Sequence, residues 1–107
     1  MSESSFPGPQ KNKMEFFIAK IYGGNKNNKL SKQEIMDKVR PFQFAPDVQV
    51  FFEGLPGGQY TEQQLIDKLN AIITSRGRAH AIGGTLQRLN QIPPEWETAY
   101  QDIYEQH

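Results

Sequence analysis

The chain contains no cysteine. That excludes disulfides, thiolate metal ligands and cysteine nucleophiles together, and it suits a reducing compartment. Histidine is nearly as scarce, with only His80 and the terminal His107. The sequence places no zinc-ligand set or hydrolytic triad around either one. No apolar run approaches the ~20 residues of a membrane-spanning helix, and residues 1–10 lack the apolar stretch of a secretory signal. The expectation is a cytoplasmic protein with no membrane partner. Net charge is absent too: twelve Lys and Arg offset twelve Asp and Glu, leaving no global field to gather nucleic acid or anionic lipid. The charges are nonetheless sorted along the chain. Basic residues concentrate between positions 11 and 40, whereas positions 95–105 hold Glu95, Glu97, Asp102 and Glu105 with no basic residue.

What is present reads as helix throughout, in a single domain over 13–107 after a flexible Pro- and Ser-containing leader at 1–12. Met14, Phe17, Ile18, Ile21 and Tyr22 fall on one face of a first helix closed by Gly23-Gly24. Ser31 caps a second helix with Glu34 in a capping box; Ile35, Met36 and Val39 form its apolar face, and Pro41 is expected to stop it. Phe42 and Phe44 then plug the core. Pro46 and Asp47 open a third helix with the stripe Val48, Phe51, Phe52 and Leu55. Thr61 and Gln64 cap a fourth. Its inner face is Leu65, Ile66, Leu69, Ile72 and Ile73, and its solvent face is Glu62, Gln63, Asp67, Lys68 and Asn70. A further helix is expected over 78–90, with Gly83-Gly84 in its middle. Two glycines there cost about 2 kcal/mol relative to alanine, so they mark a break or a close helix–helix contact. Pro93-Pro94 start a final helix bearing Trp96, Tyr100, Ile103 and Tyr104. The expected fold is therefore all-α, with five to six helices.

Residues 30–39 return thirty positions later. Leu30-Ser31-Lys32-Gln33-Glu34-Ile35 is answered by Tyr60-Thr61-Glu62-Gln63-Gln64-Leu65, and Ile21-Tyr22 by Phe51-Phe52. One helix–loop–helix unit is thus read twice, over 14–40 and 45–76, with C-terminal helices over 78–105. The two loops resemble EF-hand loops over residues 14–73. Counted from Gly23, Asn28 is sixth, Leu30 eighth, Ser31 ninth and Glu34 twelfth. Counted from Glu53, Gly58, Tyr60, Thr61 and Gln64 take the same places. The carboxylates that Ca²⁺ requires at the first, third and fifth positions are missing: Gly23, Asn25 and Asn27 stand in one loop, Glu53, Leu55 and Gly57 in the other. The resemblance therefore implies a metal-free pair without cofactor. Ser31-Lys32-Gln33-Glu34, Leu55-Pro56 and Tyr60 also resemble a short bacterial domain of unknown function.

No catalytic constellation emerges. The glycine pairs at 23–24, 57–58 and 83–84 lack the context of phosphate loops, and Asp37 and Asp67 each lie beside a lysine on a polar helix face. Two surfaces remain as partner-binding candidates. Trp96, Tyr100 and Tyr104 are residue types that anchor interfaces, although the same stripe would serve as a lid on the protein's own core. Arg76, Arg78, His80 and Arg88 could meet a phosphate backbone or an acidic protein, or form an ordinary charged loop. The first expectation is a small non-enzymatic protein-binding or regulatory module. The alternative is a helix-turn-helix-like nucleic-acid binder using Arg76, Arg78 and Arg88.

Overall fold

A computed structural model describes residues 9–25, 27–42 and 44–105, the side chains of 100–105 excepted. The order of elements is α1 (Gln10–Tyr22), β1 (Leu30–Ser31), α2 (Lys32–Phe42), α3 (Pro46–Glu53), β2 (Gln59–Tyr60), α4 (Glu62–Ser75), α5 (Ala79–Ile82) and α6 (Pro94–Glu105). The chain is mostly helical, as its periodicities require. Residues 10–12, expected in the leader, already belong to α1; residues 1–8 lie outside the described ones.

α1 is the central element. Met14 to Ala19 are buried in unbroken succession, more than the single stripe read from spacing. A helix buried on nearly all sides has elements packed around it rather than behind it. Phe17 stands at the middle of an aromatic cluster, with ring centroids 5.1 Å from Phe42, 5.2 Å from Phe44 and 5.5 Å from Phe52, each in edge-to-face geometry. Such pairs add roughly 0.5–1.5 kcal/mol each beyond simple burial. Phe42 and Phe44 do plug the core, at 1% and 6% exposure.

α2 does not stop before Pro41 but runs through it to Phe42. Proline in a last turn forfeits one hydrogen bond to the carbonyl four residues back, and burying Phe42 offsets that loss. α2 and α4 start alike. Ser31 Oγ accepts from the Glu34 amide while Glu34 Oε1 accepts from the Ser31 amide, and Thr61 and Gln64 make the same reciprocal pair. Just before these caps, the chain forms a short antiparallel sheet that period-2 patterning did not reveal. Leu30 pairs with Tyr60 and Ser31 with Gln59.

The expected helix over 78–90 is mostly absent. Only Ala79–Ile82 is helical, and Gly83 closes it at φ 104°. A Cβ on Gly83 would lie 2.7 Å from Pro9 Cβ, so the glycine pair marks where the start of α1 crosses the chain. Residues 84–93 then run as a non-helical strap whose backbone is held by side chains. Asn70 Oδ1 accepts from the Leu86 amide at 2.7 Å, and Asn70 Nδ2 donates to the Leu86 carbonyl at 3.0 Å. The Gln87 amide donates to Glu15 Oε2 at 2.7 Å. Arg88 Nε donates to Glu62 Oε1 at 3.0 Å.

That pairing corrects the reading of Glu62 as a solvent-face residue. It is 2% exposed, as the strap folds over the start of α4 and brings Arg88 to it. Glu15, 4% exposed, is the other buried carboxylate among the described residues, and it also accepts from Lys11 at 2.6 Å. Buried charges of this kind persist where a cation or amide compensates their desolvation.

Candidate functional site

The basic candidates do not form one surface. Arg76 caps the C-terminal end of α4 and is exposed, as are Arg78 and His80 just beyond it. Arg88 is half-buried, and its guanidinium is bound to Glu62 at the opposite end of α4. Fourteen residues of helix separate positions 62 and 76, or about 20 Å at the rise of an α-helix. Arg88 is thus a latch for the strap, and only Arg76, Arg78 and His80 share a neighbourhood.

The aromatic candidates stand elsewhere. Trp96, in the first turn of α6, is half-buried and lies edge-on to Phe16 of α1, with ring centroids 6.5 Å apart at 80°. Beside it, Lys20 of α1 donates to Glu97 at 3.2 Å and sits 5.9 Å from the Phe16 ring centre. An aromatic edge and an ion pair therefore help to seat the first turn of α6 on α1, and the helix also contacts α2. The side chains of Tyr100 and Tyr104 lie outside the described residues.

Next to this seat, a groove of about 300 Å³ opens between α1 and α2. Phe17, Ile21, Pro41 and Phe42 supply its apolar lining, and Lys20, Asp37 and Lys38 its polar edge. Ile21 is half-buried and Pro41 exposed. Asp37 accepts from Arg40 at 3.0 Å and from Gln33 at 3.0 Å. Lys38 has no carboxylate within ion-pair reach among the described residues. At the far edge of the cluster, Lys13 Nζ lies 5.6 Å and 5.3 Å from the ring centres of Phe42 and Phe44. Burial lowers its basicity, while the ring faces favour its cation.

Sequence reasoning assigned Ile21 to the core stripe and Pro41 to helix punctuation. Their joint exposure beside a lysine follows only from the packing of two helices distant in sequence.

A second cleft, of about 420 Å³, lies between the end of α1, the strap and α6. Ala19, Leu89 and Ile92 line it together with Glu62 and Glu97. Each of these carboxylates already has a cation, Arg88 and Lys20 respectively, so among the described residues the cleft offers no uncompensated carboxylate.

The two loops are closed by protein groups. Asn25 Oδ1 accepts from the Asn27 amide at 3.1 Å. In the second loop, Tyr60 Oη donates to the Pro56 carbonyl. Lys32 donates twice across the sheet, from its amide to the Gly58 carbonyl at 3.0 Å and from its ammonium to the Glu53 carbonyl at 2.9 Å. Tyr22 Oη donates to the Tyr60 carbonyl at 2.6 Å. Burial, with Glu62 and Glu34 nearby, pushes the Tyr22 phenol up to about 12. Among the described residues, no group of three or more His, Asp or Glu side chains converges as a metal site, and no helix is long and apolar enough to cross a membrane. No family model, curated protein or solved structure matches this chain.

Proposed function

We propose that the protein is a small, non-enzymatic module that binds another protein through the face formed by α1, α2 and the start of α6. The observation that supports this reading most directly is the groove between α1 and α2, where half-buried Ile21 and exposed Pro41 lie over Phe17 and Phe42 beside Lys20, Asp37 and Lys38. A concave patch that mixes exposed apolar side chains with polar ones at its edge is the surface chemistry of a protein interface. The scaffold behind it is a duplicated helix–loop–helix unit, similar to a metal-free EF-hand pair. Supporting that idea, Leu30 and Tyr60, thirty residues apart, pair across the two-stranded sheet, and reciprocal caps follow both strands. Lys32 supplies a cation to the Glu53 carbonyl of the second loop.

The nucleic-acid reading loses support, since Glu62 holds Arg88 away from Arg76 and Arg78. The test is affinity capture of the tagged chain from cells that express it, run with and without nuclease. A specific protein recovered in both arms, and lost with Ile21→Glu but not with Arg78→Glu, is the expected result. Recovery that vanishes with nuclease or with Arg78→Glu alone would overturn the proposal.

A further inference from the structure

We infer that the segment 85–105 exchanges between two copies of this chain, so that Arg88 of one copy pairs with Glu62 of the other. The inference is independent of the protein-binding reading. Its first support is how the segment is attached. Among the described residues, no backbone–backbone hydrogen bond joins residues 85–92 to α1 or α4. Side chains of the body hold them instead: Asn70 takes both backbone groups of Leu86, Glu15 the Gln87 amide and Glu62 the Arg88 guanidinium. α6 follows, with Trp96 against Phe16 and Glu97 on Lys20. The hydrogen-bonded partners lie 16 to 77 positions apart in sequence. The body of a second copy offers the same partners in the same geometry. Only the hinge and the entropy of association then distinguish the exchanged arrangement from the closed one.

The second support is that hinge. Gly83 and Gly84 both have positive φ, 104° and 122°, and a Cβ on Gly83 would meet Pro9 Cβ at 2.7 Å. The closed turn therefore depends on glycine, whereas an extended hinge at negative φ accepts any residue. A short tether holds the segment over its own body at a millimolar effective concentration. Exchange competes as the protein approaches about 1 mM, and a change that penalises only the closed turn lowers that threshold.

The test uses the full-length protein, unfolded and refolded at about 10 μM to about 1 mM, with molar mass read by light scattering after size exclusion. Wild type should be monomeric at the lower end and form a dimer at the upper. Gly83→Ala should raise the dimer association constant more than about tenfold, because each dimer relieves two hinges. Gly23→Ala, at a positive-φ glycine outside the hinge, should leave it unchanged. Isotope-labelled and unlabelled chains are then refolded together, and isotope-filtered nuclear Overhauser effects are recorded between the Trp96 and Phe16 rings, which lie edge to face. In the dimer these contacts should run between labelled and unlabelled chains. Monomers at every concentration, a dimer without that interchain contact, or equal dimerisation of Gly83→Ala and Gly23→Ala would each overturn the inference. If Gly83→Ala loses its helical circular dichroism, the wild-type series decides alone: an interchain Trp96–Phe16 contact at about 1 mM supports exchange, and its absence refutes it.

Discussion

Asn70 offers the sharpest test of how the strap is held. Its side-chain amide faces the backbone of Leu86, accepting from the N–H at 2.7 Å and donating to the carbonyl at 3.0 Å. Leu86 is 3% exposed, so its side chain is fixed in the core while its backbone depends on Asn70. Asn70→Ala removes both bonds. A buried amide left without an acceptor costs about 1–3 kcal/mol. The carbonyl loses less if water reaches it, so the combined loss should be about 2–4 kcal/mol. At roughly 4 °C per kcal/mol for a domain of this size, the midpoint of thermal unfolding falls by about 8–16 °C. Asn70→Asp separates the two bonds. It keeps an acceptor for the Leu86 amide but turns a carboxylate oxygen towards the Leu86 carbonyl. Hydrogen exchange resolved at single amides reads the difference. The Leu86 amide should lose protection in Asn70→Ala and keep more of it in Asn70→Asp. An unchanged Leu86 amide in Asn70→Ala, or a midpoint within about 2 °C of wild type, would show that the strap is held by something else.

Three further outcomes follow from the same geometry. Glu62 is 3% exposed and Arg88 23% exposed, so Arg88→Met, which leaves a buried carboxylate unpaired, should cost about 3 kcal/mol in denaturant unfolding. Glu62→Gln should cost less, because its amide oxygen still accepts from Arg88; the reverse ranking would show that Glu62 is not truly desolvated. Gly83→Ala combines a positive φ with a Cβ 2.7 Å from Pro9 and should cost about 2–3 kcal/mol by the same assay. Gly23→Ala meets no neighbouring atom and should cost only the backbone term, about 1–2 kcal/mol; equal losses would remove the contact with Pro9 from the account. Tyr22 has its phenol pushed up to about 12. A raised value means that the folded state favours the protonated phenol. The stability this provides is complete below the ordinary value near 10 and lost as pH rises from there through 12. Ultraviolet difference titration should show a late-ionising tyrosine that disappears in Tyr22→Phe, and an unchanged late step in that variant would assign it elsewhere.

Helices with strong local signals were legible in the sequence. The Thr61–Gln64 cap and the row Leu65, Ile66, Leu69 and Ile73 specify α4 without tertiary context. Pro46 and Gly54 bracket α3 in the same way. The strap was not legible, because Ala79, Ile82, Leu86 and Leu89 have helical spacing. That pattern loses to bonds from Glu15, Asn70 and Glu62, which arrive from 16 to 72 residues away. The two-residue strands are too short for alternation to register, and their pairing depends on two loops meeting. Of the candidate site, Trp96 was visible as an interface-type residue. Its partner Phe16 was not, since Phe16 lies off the stripe that spacing assigns to α1. Arg88 looked like a member of a basic cluster, and only the chain's return across α4 shows that it neutralises Glu62.

The central claim is that another protein binds at the α1–α2 face. Its most direct test is photo-crosslinking in living cells from a benzophenone amino acid placed at Ile21, with a control at exposed Lys68 on α4. The account predicts one discrete protein adduct from position 21, absent from position 68. Adducts equal at both positions, or none from position 21, would contradict it.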